Sequence, residues 1–580
     1  MDRARLIERI KALFAAPRAT WLARLAILVS LAWLCHSSLG AHIKYGSVPL
    51  IFNDDSRQYT WLFLIDKQEP RAEDYLYNYR KASLPLGYKL LYGAQAKIGD
   101  PRTLSKVLPY LLLMLVLAGT AAAAGMLGGH AAAWGAMLFC LSSGIFLERM
   151  TGGHPRAFAY PIIAWMAYAL IAGRPGLMAA LTILGAAFYP VAAVLGGLTL
   201  AGWMFLSAKD RGGAESWPAQ KRWLLLGGTA AATVFLVLPI WLSMRSYGPQ
   251  MRARDVAAYP EYGLDGRYNR AVDRPPYQGF WYGAGRYARE SLEGTGWPWS
   301  IALRRWGSAQ RYKLRMLFGL LALAGLFHLA LTHPGVRRLL ILAALLLPVH
   351  MLATAVAPSL YLPQRYVVYA VPILAVVLFP AALAAAPNML PELRAEKRAG
   401  PLLVVLACAA MNLFLGGRGP TETGYYVQIN RGEWVYPYLA TLPADSLIAG
   451  WPGPESIIDN VPYVSARSAF VTFENHEAYY QGFVIELRRR MRALIDAYYA
   501  VDAAPLRRLR DEFGVTHILV DPKHFQDKPA VYFTPFNFWA RDAFLAAEAA
   551  GKGFELPRWR AAAGFHDDRV WVLDLKRLDK

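Results

Sequence analysis

Apolar runs of membrane-spanning length recur along the chain from Trp21 to about residue 417 and then stop. A hydrocarbon layer needs about 20 consecutive apolar residues to cross as a helix, and no soluble domain repeats such runs. The runs fall near 21–39, 105–124, 129–147, 157–173, 177–206, 222–244, 314–332, 338–356, 366–386 and 401–417. The run over 177–206 is too long for one typical span. Tyr189-Pro190 divides it, because proline lacks the donor that continues a helix and clashes with the preceding turn.

Charge settles the consequence of that division. Met1–Thr20 carries Arg3, Arg5, Arg9, Lys11 and Arg18, which places the N-terminus inside. No clear small-x-small cleavage site follows the first run, so it reads as an uncleaved signal anchor. If 177–206 were one helix, the basic stretch Lys209–Arg222 would fall outside. As two short helices it falls inside, with Arg174, Lys209, Arg211, Lys221, Arg222, Arg337, Arg338, Arg394, Lys397 and Arg398. The positive-inside rule favours two, giving about eleven segments. The loops at 40–104, 148–156, 245–313 and 357–365 then face outside, as does the C-terminal part.

The expected fold is therefore an all-α polytopic membrane bundle with a small C-terminal α/β domain. Residues 1–20 form a cytoplasmic segment, 21–417 the membrane domain with outer loops 40–104 and 245–313, and 418–580 a soluble extracytoplasmic domain. In that last part, Ser446–Ala449, Ala469–Phe473, His517–Val520 and Val570–Leu573 have strand character. Glu477–Ala500 and Pro505–Phe513 have helical spacing between them. The domain contains no dinucleotide-binding fingerprint, P-loop or nucleophile-elbow motif. It reads as a module for shaping, docking or acceptor contact.

Composition adds two points. The formal charge is +21, from 62 basic and 41 acidic residues. Much of the excess sits in short loops between spans, and no zinc-finger, basic-zipper or RNA-binding signature is present, so nucleic acid is not an expected partner. The three cysteines, Cys35, Cys140 and Cys408, all lie in apolar runs, so no disulfide framework is expected.

Candidate chemistry lies in the outer loops. The first opens with Asn53-Asp54-Asp55-Ser56-Arg57-Gln58-Tyr59. Asp54 and Asp55 have two readings: solvated caps of a following amphipathic helix, or a general base or cation-binding pair held just above the bilayer. The second outer turn carries Glu148, Arg149, Gly152, Gly153, His154, Pro155 and Arg156. Arg156 suits a phosphate and His154 a proton exchange. The last displays Pro363-Gln364-Arg365-Tyr366 and then Tyr369, where Arg365 either snorkels to headgroups or grips phosphate. The loop over 245–313 interleaves Tyr259, Tyr262, Tyr268, Tyr277, Trp281, Tyr282 and Tyr287 with Arg267, Arg270, Arg274 and Arg286. Part of it is expected to cover a cavity.

This organisation resembles the membrane glycosyltransferases of the GT-C class. The likeness rests on D-D-x-x-x-Y from Asp54 to Tyr59, a P-x-G-Y-x-L-L-Y helix from Pro85 to Tyr92, Asp100-Pro101 before the next span, and P-x-R-Y at Pro363–Tyr366. It covers roughly residues 20–385. Helices at Leu62–Ile65 and Pro85–Ile98 would lie along the membrane surface, joined by the aromatic stretch Tyr75–Tyr79. The resemblance implies a bacterial enzyme of the inner membrane that moves a hexose or pentose. The donor would be a polyprenyl-phosphate sugar and the acceptor an extracytoplasmic glycan, lipid or protein. It implies a catalytic acid at Asp54 or Asp55, with the first of the pair favoured. Glu148, His154, Arg156, Arg365 and Tyr369 would bind substrate. Where this class uses Asp-Glu, the chain has Asp-Asp, which leaves the choice between them open. A divalent cation such as Mg or Mn, if used, would sit on Asp54 and Asp55. Two rival readings stand: a transporter or lipid-handling protein, and a non-catalytic envelope assembly factor. The polar groups favour the enzyme, since they sit in outer loops while the broken pair of helices at Tyr189-Pro190 is apolar.

Overall fold

A computed structural model describes residues 25, 28–33, 35–68, 73–206, 218–268, 309–360, 362–389, 399–415, 423–429, 433–454, 456–526 and 528–579. The basic residues of 1–20, Lys209, Arg211, Arg394, Lys397, Arg398 and the aromatic-basic stretch from Arg270 to Arg286 lie outside them. The protein is mostly helical with a small sheet region.

The helices are α1 Gly40–Gly46, α2 Ser56–Asp66, α3 Tyr75–Ser83, α4 Leu86–Ile98, α5 Pro101–Ser142, α6 Ile145–Met150, α7 Ala159–Ile171, α8 Pro175–Phe188, α9 Pro190–Leu206, α10 Ala219–Met244, α11 Ala309–Thr332, α12 Pro334–Ala355, α13 Ala370–Ala385 and α14 Ala399–Leu415. Beyond them come α15 Val435–Thr441, α16 Ile457–Val464, α17 Gln481–Tyr498, α18 Ala504–Phe513, α19 Phe536–Ala549 and α20 Glu555–Arg558.

Among the described residues, four helical stretches are long and apolar enough to cross a membrane: Pro101–Ser142, Ala219–Tyr247, Pro334–Ala355 and Pro363–Met389. Shorter apolar helices accompany them at Pro175–Phe188, Pro190–Phe205, Leu317–Thr332 and Ala399–Cys408. Their outward faces are strongly apolar: Phe235 is 75% exposed, Leu224 68% and Leu323 64%. Water would not tolerate so continuous an apolar surface, whereas lipid does.

Two chain reversals follow from sequence. α5 is broken at Gly128 and Gly129, where Gly129 takes φ +70°, a left-handed conformation that glycine adopts without penalty. The long run over 177–206 is broken at Tyr189. A Cβ on Gly185 would touch the backbone of Ala193, and one on Gly196 would touch Thr182. Those pairs are symmetric about residue 189, so α8 and α9 fold back on each other as an antiparallel hairpin.

The sheet region has two parts. β1 Ile51–Phe52 pairs antiparallel with β2 Val427–Gln428, which ties the stretch before α2 to the segment after α14. A five-stranded sheet has the order β4 Ser468–Ala469, β3 Leu447–Gly450, β5 His517–Val520, β7 Trp571–Asp574, β6 Phe565–His566. β4, β3 and β5 run parallel, with α16, then α17 and α18, in the crossovers. β7 and β6 add antiparallel. Alternate side chains enter two cores. Leu447, Ala449, Ile518, Val520, Trp571 and Leu573 pack under the outer helices. Ile448, Leu519 and Val572 join the core that continues into the membrane bundle.

That continuity corrects one expectation. α2 does not lie on the membrane surface. Trp61, Leu62, Phe63 and Leu64, which point around the helix, are all buried, as are Arg57 and Thr60. α16 covers α2 from the C-terminal side. Tyr79 of α3 stacks on Phe483 of α17 with ring centroids 3.5 Å apart. α4 keeps an uncovered apolar edge at Leu86, Leu90 and Ile98, and the joining stretch from Tyr75 is itself helical.

Candidate active site

The site is assembled at the start of α2. Asn53 is buried, its side-chain oxygen accepts the Asp55 N–H at 2.8 Å, and its amide donates to Gly424 O at 2.5 Å. That turn fixes the backbone from which both aspartates project. The facing turn is equally constrained. Gly152 and Gly153 take φ +86° and +59°, and a Cβ on Gly153 would stand 2.6 Å from Tyr92 Oη. Tyr92 Oη donates to Gly153 O at 2.8 Å, and Thr151 Oγ1 donates to Thr423 O at 2.9 Å.

These turns bring Asp55 against His154 and Arg156. Arg156 Nη2 donates to Asp55 Oδ2, and His154 Nε2 lies 2.8 Å from the same oxygen. Arg156 Nε is also 2.9 Å from His154 Nε2. A ring protonated at Nε2 donates to Asp55, whereas one protonated at Nδ1 accepts from Arg156. In either form Nδ1 is buried without a partner among the described residues. Burial lowers the His154 pKa to about 3, with Arg156 and Arg365 adding to that and Asp55 opposing it. His154 is thus a neutral ring, which weakens the proton-exchange role expected for it. Burial pushes the Asp55 carboxyl up, but Arg156, His154, Arg365 and Arg80 together hold it below its ordinary value.

Arg365 reaches the same region from the turn before α13. Its Nη1 donates to Tyr369 Oη at 3.0 Å, and the fully buried Tyr369 ring stands edge-on to Tyr160 and Tyr189. The Arg365 and Arg156 guanidiniums are close enough to repel, each opposing the other's charge. One carboxylate near two guanidiniums, with a neutral imidazole beside it, leaves a net positive cluster suited to an anion.

Solved structures resemble the whole chain. The Archaeoglobus fulgidus oligosaccharyltransferase in complex with Zn and sulfate is similar at 13% identity and TM-score 0.47, over 90% of this chain and 70% of that one. The same organism's oligosaccharyltransferase AglB with an inhibitory peptide and a dolichol-phosphate gives 11% identity and TM-score 0.45, over 88% and 70%. ArnT from Cupriavidus metallidurans bound to undecaprenyl phosphate gives 12% identity and TM-score 0.44, over 96% and 98%. No family model and no curated protein matches the sequence.

The remaining expected residues go elsewhere. Asp54 faces away from the Asp55 cluster. Its carboxylate accepts from Arg57 Nη2 at 2.6 Å and stays 43% exposed. Burial raises its pKa. Arg57 opposes the rise, and Glu474 and Asp55 reinforce it. Glu148 accepts from Tyr426 Oη at 2.7 Å rather than joining Arg156. Tyr262 and Tyr268, from the described part of the 245–313 loop, donate to Ala478 O and His476 O of the C-terminal domain.

Sequence reading missed the partners of Arg57. Arg57 Nη1 donates to Asp459 Oδ2 at 3.1 Å, Pro454 O at 2.9 Å and Asn460 Oδ1 at 3.3 Å. Glu474 lies 3.7 Å from Arg57 Nη2 and accepts from Gln58 Nε2 at 2.5 Å. The one available signal was the polar run Glu474-Asn475-His476-Glu477 inside an otherwise apolar stretch.

Asp54 and Asp55 do not come together as a shared cation site. Each aspartate already faces a guanidinium, and the described residues contain no group of three or more His, Cys, Asp or Glu able to hold a metal ion.

Proposed function

We propose that the chain is a membrane glycosyltransferase that moves a sugar from a polyprenyl-phosphate donor to an extracytoplasmic acceptor. The observation that carries this reading is the meeting of Asp55, His154, Arg156, Arg365 and Tyr369, from three segments far apart in sequence, in a positive cluster beside a half-exposed carboxylate. An anion that must be held and then released as a leaving group matches such a cluster, and an acceptor hydroxyl that must lose a proton matches Asp54.

The reaction is a direct displacement at the anomeric carbon. Asp54 takes the acceptor hydroxyl proton as the new C–O bond forms. The bond from the anomeric carbon to the phosphate oxygen breaks, and Arg156 and Arg365 hold the phosphate that departs on its lipid. Asp55 keeps Arg156 in place and stays ionised. His154, neutral, bonds Asp55 or Arg156 through Nε2 according to its tautomer and adds no charge. In this reading about eleven segments make the membrane part over 21–417, the N-terminus is cytoplasmic, and 418–580 stand outside with the outer loops.

The test compares Arg365→Lys with the parent. A point ammonium cannot reproduce the two-pronged geometry of a guanidinium on phosphate. Losing one charge-assisted bond is worth about 1.5–3 kcal/mol, so transfer from a polyprenyl-phosphate sugar should fall about 10–100-fold. Insertion should be unaffected, because Lys snorkels as Arg does. Parent-level transfer by the Lys variant would reassign Arg365 to interfacial anchoring.

A further inference from the structure

The C-terminal domain reaches the base itself. Asp54 has Arg57 as its side-chain partner, and Arg57 is 3% exposed. Nη2 of that guanidinium faces Asp54 and Glu474, while Nη1 faces Asp459, Asn460 and the Pro454 carbonyl. All of these except Asp54 belong to the C-terminal domain. Asp459 is fully buried at the N-terminal turn of α16, and its two oxygens also accept the Phe473 and Glu474 backbone N–H groups. Arg267, from the 245–268 segment, stands 3.5 Å from Glu474 and lies over the Phe473 ring. An arginine used at both ends cannot shift toward one without stretching at the other.

We propose that Arg57 is a positioning residue for Asp54, and that Asp459 and Glu474 of the C-terminal domain set its place, so that this domain completes the site rather than only docking an acceptor. This rests on Asp54 being the base. The charged groups facing Asp54 are Arg57 and Asp55 from its own segment and Glu474 from the domain, with Asp459 acting through Arg57.

Two variants of the full-length protein test it, each assayed per amount of folded protein. Asp459→Asn keeps an oxygen for the backbone donors but turns an NH₂ toward Arg57 Nη1, where donor meets donor. A misplacement of about 1 Å at a reacting group costs on the order of 100-fold, so kcat should fall about tenfold or more while KM for the lipid donor stays within about twofold. Glu474→Gln removes a negative charge beside Asp54, so the acid limb of the kcat–pH profile should move to lower pH. A residue that merely stabilises the domain would move the melting temperature and leave that limb in place.

Parent kcat and an unmoved acid limb overturn the inference, as does a rise in KM alone, which would make these residues acceptor ligands. If Asp459→Asn does not fold, the acid limb of Glu474→Gln decides. Asp54→Asn separates the two levels. If it transfers sugar at the parent rate, the base assignment itself fails. If it is inactive while both domain variants match the parent, only the positioning role fails.

Discussion

Replacing Asp54 and Asp55 one at a time by Asn should give two opposite signatures, because the adjacent carboxylates sit in different surroundings. The Asp54 side chain is 43% exposed and has Arg57 as its partner, and Arg57 keeps Asp459, Asn460 and Pro454 O when the charge at 54 is lost. An amide oxygen at 54 can still accept from Arg57 Nη2. With the Asp54 end open to solvent and the Arg57 bond kept by the amide, the loss should be near the about 0–1 kcal/mol of a surface pair, so the melting temperature should hardly change. Removal of a general base costs about 10²–10⁴-fold in rate, equivalent to about 3–5 kcal/mol of barrier. Asp55 is the reverse. Its side chain is 11% exposed and lies between Arg156 and His154. Removing its charge leaves two guanidiniums facing each other, and breaking a buried pair costs about 3–5 kcal/mol of stability. The assay is sugar transfer from a polyprenyl-phosphate donor at matched amounts of folded protein, with melting followed in the same detergent. Parent-rate transfer by Asp54→Asn and by the double variant would refute the mechanism. Equal destabilisation by the two single variants would refute the division between them.

Two further outcomes follow. His154 is neutral in the folded protein down to about pH 3 but titrates near 6.5 when unfolded, so its contribution is complete above pH 6.5 and declines as pH falls toward 3. Between pH 7 and 5 that amounts to about 2 kcal/mol, and His154→Gln should show a correspondingly smaller fall in melting temperature; parallel pH curves would remove His154 from the account. In a background lacking Cys35, Cys140 and Cys408, a cysteine at Gly176 should resist a membrane-impermeant thiol reagent in intact cells and one at Lys523 should react. Labelling at Gly176 from outside would invert the proposed topology.

The hydrophobic pattern made the helical architecture legible, and proline and glycine marked its reversals. Tyr189-Pro190 divides the 177–206 run because the break is local and chemical, and Gly128-Gly129 does the same inside α5. The sheet strands were readable from short apolar runs, although β4 is only Ser468–Ala469 and β6 carries too little apolar character to stand out. The placement of α2 was not readable. Arg57 and Gln58 look like the solvent side of a surface helix, and only the fold shows that Asp459 and Glu474, some 400 residues later, cover them. A polar residue paired across that distance carries the same local pattern as one paired with water. The individual outer-loop residues could be named from their chemistry, but which of them meet could not. Glu148 and Arg156 are neighbours in one turn, yet Glu148 bonds Tyr426 while Arg156 bonds Asp55.

The separation of Asp54 from Asp55 comes from helix geometry. They are the last residues before α2, and successive side chains around a helix start point about 100° apart. One therefore faces the Gly152-Gly153 turn and the other faces Arg57 and the C-terminal domain. A carboxylate held by Arg156 and His154, with the Arg365 charge nearby, is a poor base, since the guanidiniums depress its proton affinity. A carboxylate with one guanidinium partner, a raised pKa and an open edge keeps both its basicity and its access. A displacement that ends with phosphate departing also needs cations gathered near the leaving group, with the base left enough proton affinity to act. In the proposed mechanism the Asp-Asp pair divides these demands by placing two environments on either side of one peptide bond. A single acid at this point would have to choose between organising Arg156 and accepting a proton.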